Sequence, residues 1–313
     1  MALPTGTLTT SSTISALVTT AYDQYVRMAL RSIPVMRALA DVKPVQQAMP
    51  GSSVVFSIYS DLNTLTGTLN ESNDVDSVAL GNPNTVTVTL NEYGNAVTTT
   101  KKLNLTSFND VDSALADIIA YNAADSIDSV VASVLTGSTG TNVIYGGAAT
   151  GTNSITSSGT ITAANIRKAV VQLRSNKAVP RIGELYAAYL HPRQSADLRA
   201  ESGTGGFQEL TKYTDRTPFV AGAVGVLEGA FIVETPRVPS VANTQSPAVT
   251  VYKGIVAGRE ALAEAMAQDI STVIGPEIDA LRRFRTIGWY YFGGFARLRE
   301  AALYRIETAT SIN

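Results

Sequence analysis

Apolar and polar residues alternate one by one in "NTVTVTLNEYG" (84–94), where Val86, Val88 and Leu90 fall on one side of an extended chain and threonines on the other. This period of two predicts a strand with one wet face. A second strand is predicted at "SVVFSIYS" (53–60), which is rich in β-branched and aromatic residues. Between the two lies "DLNTLTGTLNESNDVDSVALGNPN", polar and full of turn formers. Strands joined by so long a tip make an arm, and a lone two-stranded ribbon is marginal in water. The ribbon is therefore expected to lean on something outside its own domain.

The clearest helical pattern is "NDVDSALADIIAYNAADSIDSVVASVL" (109–135), with Asn109 as N-cap and Asp112 suited to the N-terminal dipole. At 1.5 Å per residue it would run about 40 Å. Its apolar stripe drifts, from Val111, Leu115, Ile118 and Ile119 to Ile127, Val130, Val131 and Val134. A helix that changes faces changes partners, so this one reads as a spine. Residues 1–12 are Ser/Thr-rich and read as a mobile arm. A helical period over 16–39 breaks at Pro34, and Pro44 and Pro50 force extended chain.

A Gly/Ser/Thr-rich stretch at 136–160 marks a domain boundary. Beyond it, "TAANIRKAVVQLRSN" predicts an amphipathic helix capped by Thr162, with Ile166, Val170 and Leu173 inward. "GELYAAYLHP" predicts a strand stopped by Pro192, which opens the helix "PRQSADLRAE". "GAFIVETP" and "AVTVYKGIVAG" predict buried strands, and the aromatic, Gly-paired segment 286–309 predicts strands returning to the core. No internal repeat appears.

Composition narrows the function classes. A chain of 313 residues with 45% hydrophobic and 16% charged positions holds two compact domains, or one with large excursions. The net charge of −2 gives no basic field, so a nucleic-acid contact must come from a local patch. Cysteine is absent, which excludes disulfides, thiol nucleophiles and Cys-based metal sites. The N-terminus lacks the basic-then-apolar order of a signal peptide, and no run of 18 apolar residues appears, so no membrane partner is expected.

Candidate chemistry is sparse. The single histidine, His191, has Asp197 six residues on, but no nucleophile elbow and no second histidine accompany it. A strand–His–Pro–helix corner, with the imidazole bonding to backbone, accounts for it. Asp110, Asp112, Asp117, Asp125 and Asp128 line the long helix with no Lys or Arg among them. Spread over several turns they cannot converge on one ion. A solvated face, or one that meets a neighbour's basic segment, is expected, with Arg27, Arg31 and Arg37 as partners. "GTGGF" and "GAVGVLEGA" lack the Gly-Lys-Ser/Thr ending of a phosphate loop and read as turns. Arg282, Arg283, Arg285, Arg297 and Arg299 surround aromatics in "LRRFRTIGWYYFGGFARLR". That basic patch could meet a polyanion, though a subunit contact fits it better. No catalytic, cofactor or metal site is expected, and no enzyme.

"YLHPRQSADLRA", "GAVGVLEGAFIVETP" and "RTIGWYYFGGFARLREAALYRIET", with the order arm, excursion, spine, α/β insertion and returning strands, resemble the major capsid proteins of tailed bacteriophages. The resemblance is to the Hong Kong 97-type fold, and within it to the coat-protein family of phage N4. It implies an α+β fold. Residues 1–48 would be an N-terminal arm, 49–104 an extended loop lying across an adjacent subunit, and 105–159 a peripheral domain with the spine helix. Residues 160–270 would be the axial α/β domain and 271–313 the strands returning to the peripheral domain.

The function implied is self-assembly into hexamers and pentamers of an icosahedral shell around double-stranded DNA, held non-specifically, after assembly in the bacterial cytoplasm. A separate scaffolding protein is implied because the arm begins almost at Met1, along with a portal and decoration proteins. Inter-subunit contacts are then expected from Arg27, Arg31, Arg37, Val86, Val88, Leu90, Asp117 and Asp128. Two other readings stand beside this one. An encapsulin-type nanocompartment shell would share the fold, and a Thr/Gly-rich β adhesin or binding module would share the composition.

Overall fold

The computed structural model describes residues 31–44, 52–64, 66–68, 72, 77–106, 111–137, 142–202, 225–245, 247–276 and 281–312. In chain order its elements are β1 (Ala40–Pro44), β2 (Ser53–Ile58), β3 (Asn84–Thr89), β4 (Asn91–Thr100), α1 (Lys101–Thr106), α2 (Val111–Thr136) and β5 (Val143–Tyr145). There follow α3 (Ala163–Ser175), β6 (Tyr186–Leu190), α4 (Pro192–Ala200), β7 (Val226–Leu227), β8 (Ala230–Glu234), β9 (Ser240–Ala242), β10 (Thr250–Ala257), β11 (Leu262–Ile274), β12 (Phe284–Arg297) and β13 (Leu303–Thr308).

The strands form three sheets. Four run in the order β1-β11-β12-β4, and seven are built on the path β5-β13-β10-β6-β8-β7 with β9 beside β10; among the described residues β2 and β3 pair with each other alone. The seven-stranded sheet is covered on both faces. Its central strand β6 is buried throughout. Tyr186, Ala188 and Leu190 meet Ile166, Val170 and Leu173 of α3, while Ala187 and Tyr189 meet Val131 and Leu135 of α2. Burial on both faces explains why "YAAYL" carries no alternation.

Helix α2 joins the sheets. Leu115, Ile119, Ala123, Ile127, Val131 and Leu135 form a ridge of every fourth residue, and all are buried. Each step of four advances about 40° around the axis, since a turn takes 3.6 residues. The lower ridge therefore packs on Ile287, Trp289 and Tyr291 of β12, and the upper ridge has rotated onto Ile255 and Leu303 of the larger sheet. The drifting stripe is that rotation. Leu115–Thr136 is also long and apolar enough to cross a membrane, but both sheets cover its ridge.

Three expectations need correction. The period over 16–39 does not end in an α-helix: 31–35 carry no regular structure and only Met36–Leu39 form a 3-10 turn, because Pro34 removes a ladder donor. Residues 16–30 lie outside the described residues. The strand expected over 84–94 divides at Leu90, β3 pairing with β2 and β4 with β12. Finally, β11 was not anticipated, because "LAEAMAQDISTVI" is rich in helix formers. Pairing with β1 on one edge and β12 on the other overrides that propensity. It places 262–274 in the four-stranded sheet and β13 in the seven-stranded one, so the sheets do not divide at residue 270.

Candidate assembly surface

The β2–β3 hairpin stands on its own subunit. Val88 is 1% exposed and Leu90 is buried with it, both packed with Ala265, Phe292 and Ala296 on the face of β11 and β12 away from α2. Two of the apolar residues expected to seek a neighbour thus find cover within the chain, and Val86 is half-buried. The cover depends on Gly294. A methyl group there would land well inside van der Waals contact distance of the Thr89 carbonyl oxygen and crowd Val88. We expect Gly294→Ala to cost about 1–3 kcal/mol, as overpacked cores do, and to speed hydrogen exchange selectively at 84–90. Unchanged protection there would refute the seating role.

Above its base the hairpin is bare. Val55, Tyr59, Leu62, Val78 and Leu80 are exposed, Val78 at 75%. None was singled out by the period-two pattern, which had pointed to the buried strip. The bare residues lie on the opposite face of β2 or in the connection between the strands, and neither outer edge of the two-stranded ribbon pairs with another strand among the described residues.

Of the candidate charged contacts, Asp128 and Arg37 form ion pairs inside the subunit. Asp128 is 1% exposed and accepts from the backbone N–H of Met36 (2.6 Å) and of Arg37 (3.1 Å), and from Arg237 Nε (2.7 Å). Arg237 also pairs with Asp125 and donates to Ser129 Oγ and Ser32 Oγ. It therefore stitches the segment after β8 to α2 and to the incoming N-terminal chain. Sequence reading missed Arg237, which sits in a Pro-flanked turn with no periodic signal.

The Arg37 side chain holds Glu264 (2.7 Å) and Asp269 (3.0 Å) and lies over the Tyr291 ring. Glu264 is fully buried and accepts from Tyr291 Oη at 2.9 Å. Burial, and next the Glu264 charge, push the Tyr291 hydroxyl well above its usual range, so it stays a donor. Arg31 donates to the Asp117 carbonyl, not its carboxylate, and stacks over Tyr121. Asp117 itself is exposed. The basic segment is thus the chain's own 31–37, laid along α2. Arg27 and Asp110 lie outside the described residues.

The five arginines expected as one patch are two clusters. Arg282, Arg283 and Arg285 stand at the start of β12, and Arg297 and Arg299 at or beyond its end. A strand rises about 3.3 Å per residue, which separates the groups by roughly 40 Å. Arg297 pairs with Glu300 and Arg299 with Glu260.

His191 caps α4. Its Nδ1 accepts from the Arg193 N–H at 3.2 Å, and Gln194 Oε1 accepts from the His191 N–H at 3.2 Å. Burial, then the Arg193 charge, hold the imidazole below its ordinary value of 6.5. Below about pH 6.5 the unfolded chain takes up a proton that the folded one resists. This contribution to stability is therefore complete above that pH and fades as pH falls through the lower folded value. In melts from pH 8 to 5, His191→Asn, which keeps a cap without titrating, should lose part of the acid-side decline. His191→Ala should cost about 1 kcal/mol at neutral pH and leave assembly intact. Among the described residues no group of three His, Asp or Glu side chains could hold a metal ion.

The sequence profile of the phage capsid protein family matches residues 9–312. This chain belongs to that family. No curated protein matches it, but solved capsids share its fold. The capsid of Ralstonia phage GP4 superposes with a TM-score of 0.74 at 15% identity, covering 94% of this chain and 96% of the other. The capsid of cyanophage P-SCSP1u gives 0.72 at 16% identity, covering 95% and 94%. The head of Helicobacter pylori bacteriophage KHP40 gives 0.71 at 15% identity, covering both chains fully. The capsid protein is thus a major head protein whose place is the virion shell, and it associates with copies of itself.

Proposed function

We propose that this capsid protein forms the hexamers and pentamers of an icosahedral shell enclosing the double-stranded DNA of a tailed phage, assembled in the host cytoplasm. The observation that carries this reading is the hairpin. Its base is fixed to the body through Val88, Leu90 and Gly294, while its outer apolar residues Val55, Tyr59, Leu62, Val78 and Leu80 stand exposed. Covering apolar surface is worth about 25 cal/mol per Å², and identical contacts repeated around rings close a shell. We assign the four-stranded sheet and lower α2 to the peripheral domain and the seven-stranded sheet to the axial domain. A separate scaffolding protein, a portal and decoration proteins complete the proposed assembly.

The test is the full chain, concentrated and viewed by negative-stain electron microscopy alongside analytical sedimentation. Rings or closed shells are expected. A compact monomer at high concentration would overturn the proposal, and particles isolated from cells with a protein cargo in place of DNA would redirect it to a nanocompartment.

A further inference from the structure

A pocket of about 180 Å³ opens where the two large sheets meet, between the end of α3, the β10–β11 turn and the β12–β13 corner. Lys177, Arg259, Glu260 and Arg299 line it, with Val179 and Ala302 at its wall. Three cations face one carboxylate. Arg299 Nε holds Glu260 at 2.6 Å, whereas the side chains of Lys177 and Arg259 have no hydrogen-bond or ion-pair partner among the described residues. The carboxylates nearby do not serve them: Asp41 is paired with Arg181 and Glu300 with Arg297.

The backbone presents these charges at some cost. Helix α3 ends in a Schellman turn, the Ala178 N–H bonding to Leu173 O and the Lys177 N–H to Arg174 O. The left-handed position of that turn suits glycine, yet Lys177 occupies it at φ +58°. Glu260 is likewise left-handed, at φ +57°. Part of Lys177 is accounted for by the helix, because a cation near a C-terminus complements the dipole. That account does not reach Arg259, which projects from the opposite wall.

We propose that this pocket takes a backbone phosphate of nucleic acid, without regard to sequence. The inference rests on the reading that the shell encloses DNA, and it names the surface that would meet it. Exposed cations with several donors suit a mobile polyanion that brings one phosphate after another. On a chain of net charge −2, such a contact needs a local positive excess.

The test uses the full-length unassembled chain and a short DNA duplex of mixed sequence, followed by fluorescence anisotropy between about 50 and 200 mM salt. Each phosphate contact adds about 0.9 to the slope of log affinity against log salt. Lys177→Gly combined with Arg259→Gln removes that phosphate contact, and should lower the slope by about 0.9 and weaken binding at low salt. Glu260→Gly should strengthen binding several-fold by releasing Arg299. Both glycine substitutions relieve a left-handed residue, so neither threatens the fold, yet they move charge in opposite directions.

An unchanged slope, or a shift of the same sign from both glycine variants, would overturn the proposal. So would an oligoglutamate peptide that outcompetes the duplex, since the pocket would then be a subunit contact. An unchanged slope in variants whose shells still form and fill with DNA sinks only this inference. Failure of the unsubstituted chain to form shells sinks the reading beneath it.

Discussion

Shell formation is expected to be lost outright when residues 62–82 are removed, while the body of the subunit still folds. Ile58 pairs with Asn84, so the deletion leaves Tyr59, Ser60, Asp61 and Pro83 to close the hairpin. A four-residue loop is a common hairpin connection, and shortening a loop lowers its closure entropy. Val88 and Leu90 keep their seat on β11 and β12. What disappears is the uncovered apolar group of Leu62, Val78 and Leu80. Sedimentation should show monomers or small rings with native circular dichroism, and electron microscopy no closed particles. Normal shells from the shortened chain would mean that the hairpin tip joins nothing.

The second large effect is expected at Asp128. Replacing it by alanine leaves the half-buried Arg237 without one carboxylate and strands two backbone donors, those of Met36 and Arg37. Removing one partner of a buried pair costs about 3–5 kcal/mol, because the remaining charge is uncompensated. Chemical denaturation of the unassembled subunit should show a loss of that size. Since Asp128 also anchors the chain entering from residue 31, limited proteolysis should cut upstream of Met36 faster than in the unsubstituted protein. Asp128→Asn should fall between the two, keeping an acceptor for the backbone while removing the charge. A loss under about 1 kcal/mol for Asp128→Ala would show that Asp125 alone suffices for Arg237.

The two deletions of function differ in kind. One removes an outward surface and spares the subunit, and the other removes an inward charge and loosens it. Sequence pattern could not tell these apart. Asp117 and Asp128 look alike along the helix, yet one is exposed and the other lies under three donors. Val88 and Val55 are both β-branched residues on hairpin strands, yet only the first is covered. In each case the deciding partner is more than thirty residues away.

Local periodicity by itself determined the elements whose cause is local: the long spine with its turning stripe, the Thr162 and His191 caps, the Pro192 helix start, the hairpin strands and most strands of the larger sheet. Tertiary structure alone decided β11, whose helix-forming composition yields to hydrogen bonding on both edges. It alone split the C-terminal arginines, because an extended strand carries sequence neighbours far apart. It alone turned the expected contacts at Arg37, Asp128, Val88 and Leu90 inward. A residue's type and spacing fix what it can bond to, whereas burial depends on which distant strand or helix arrives opposite, and that is a property of the whole packed chain.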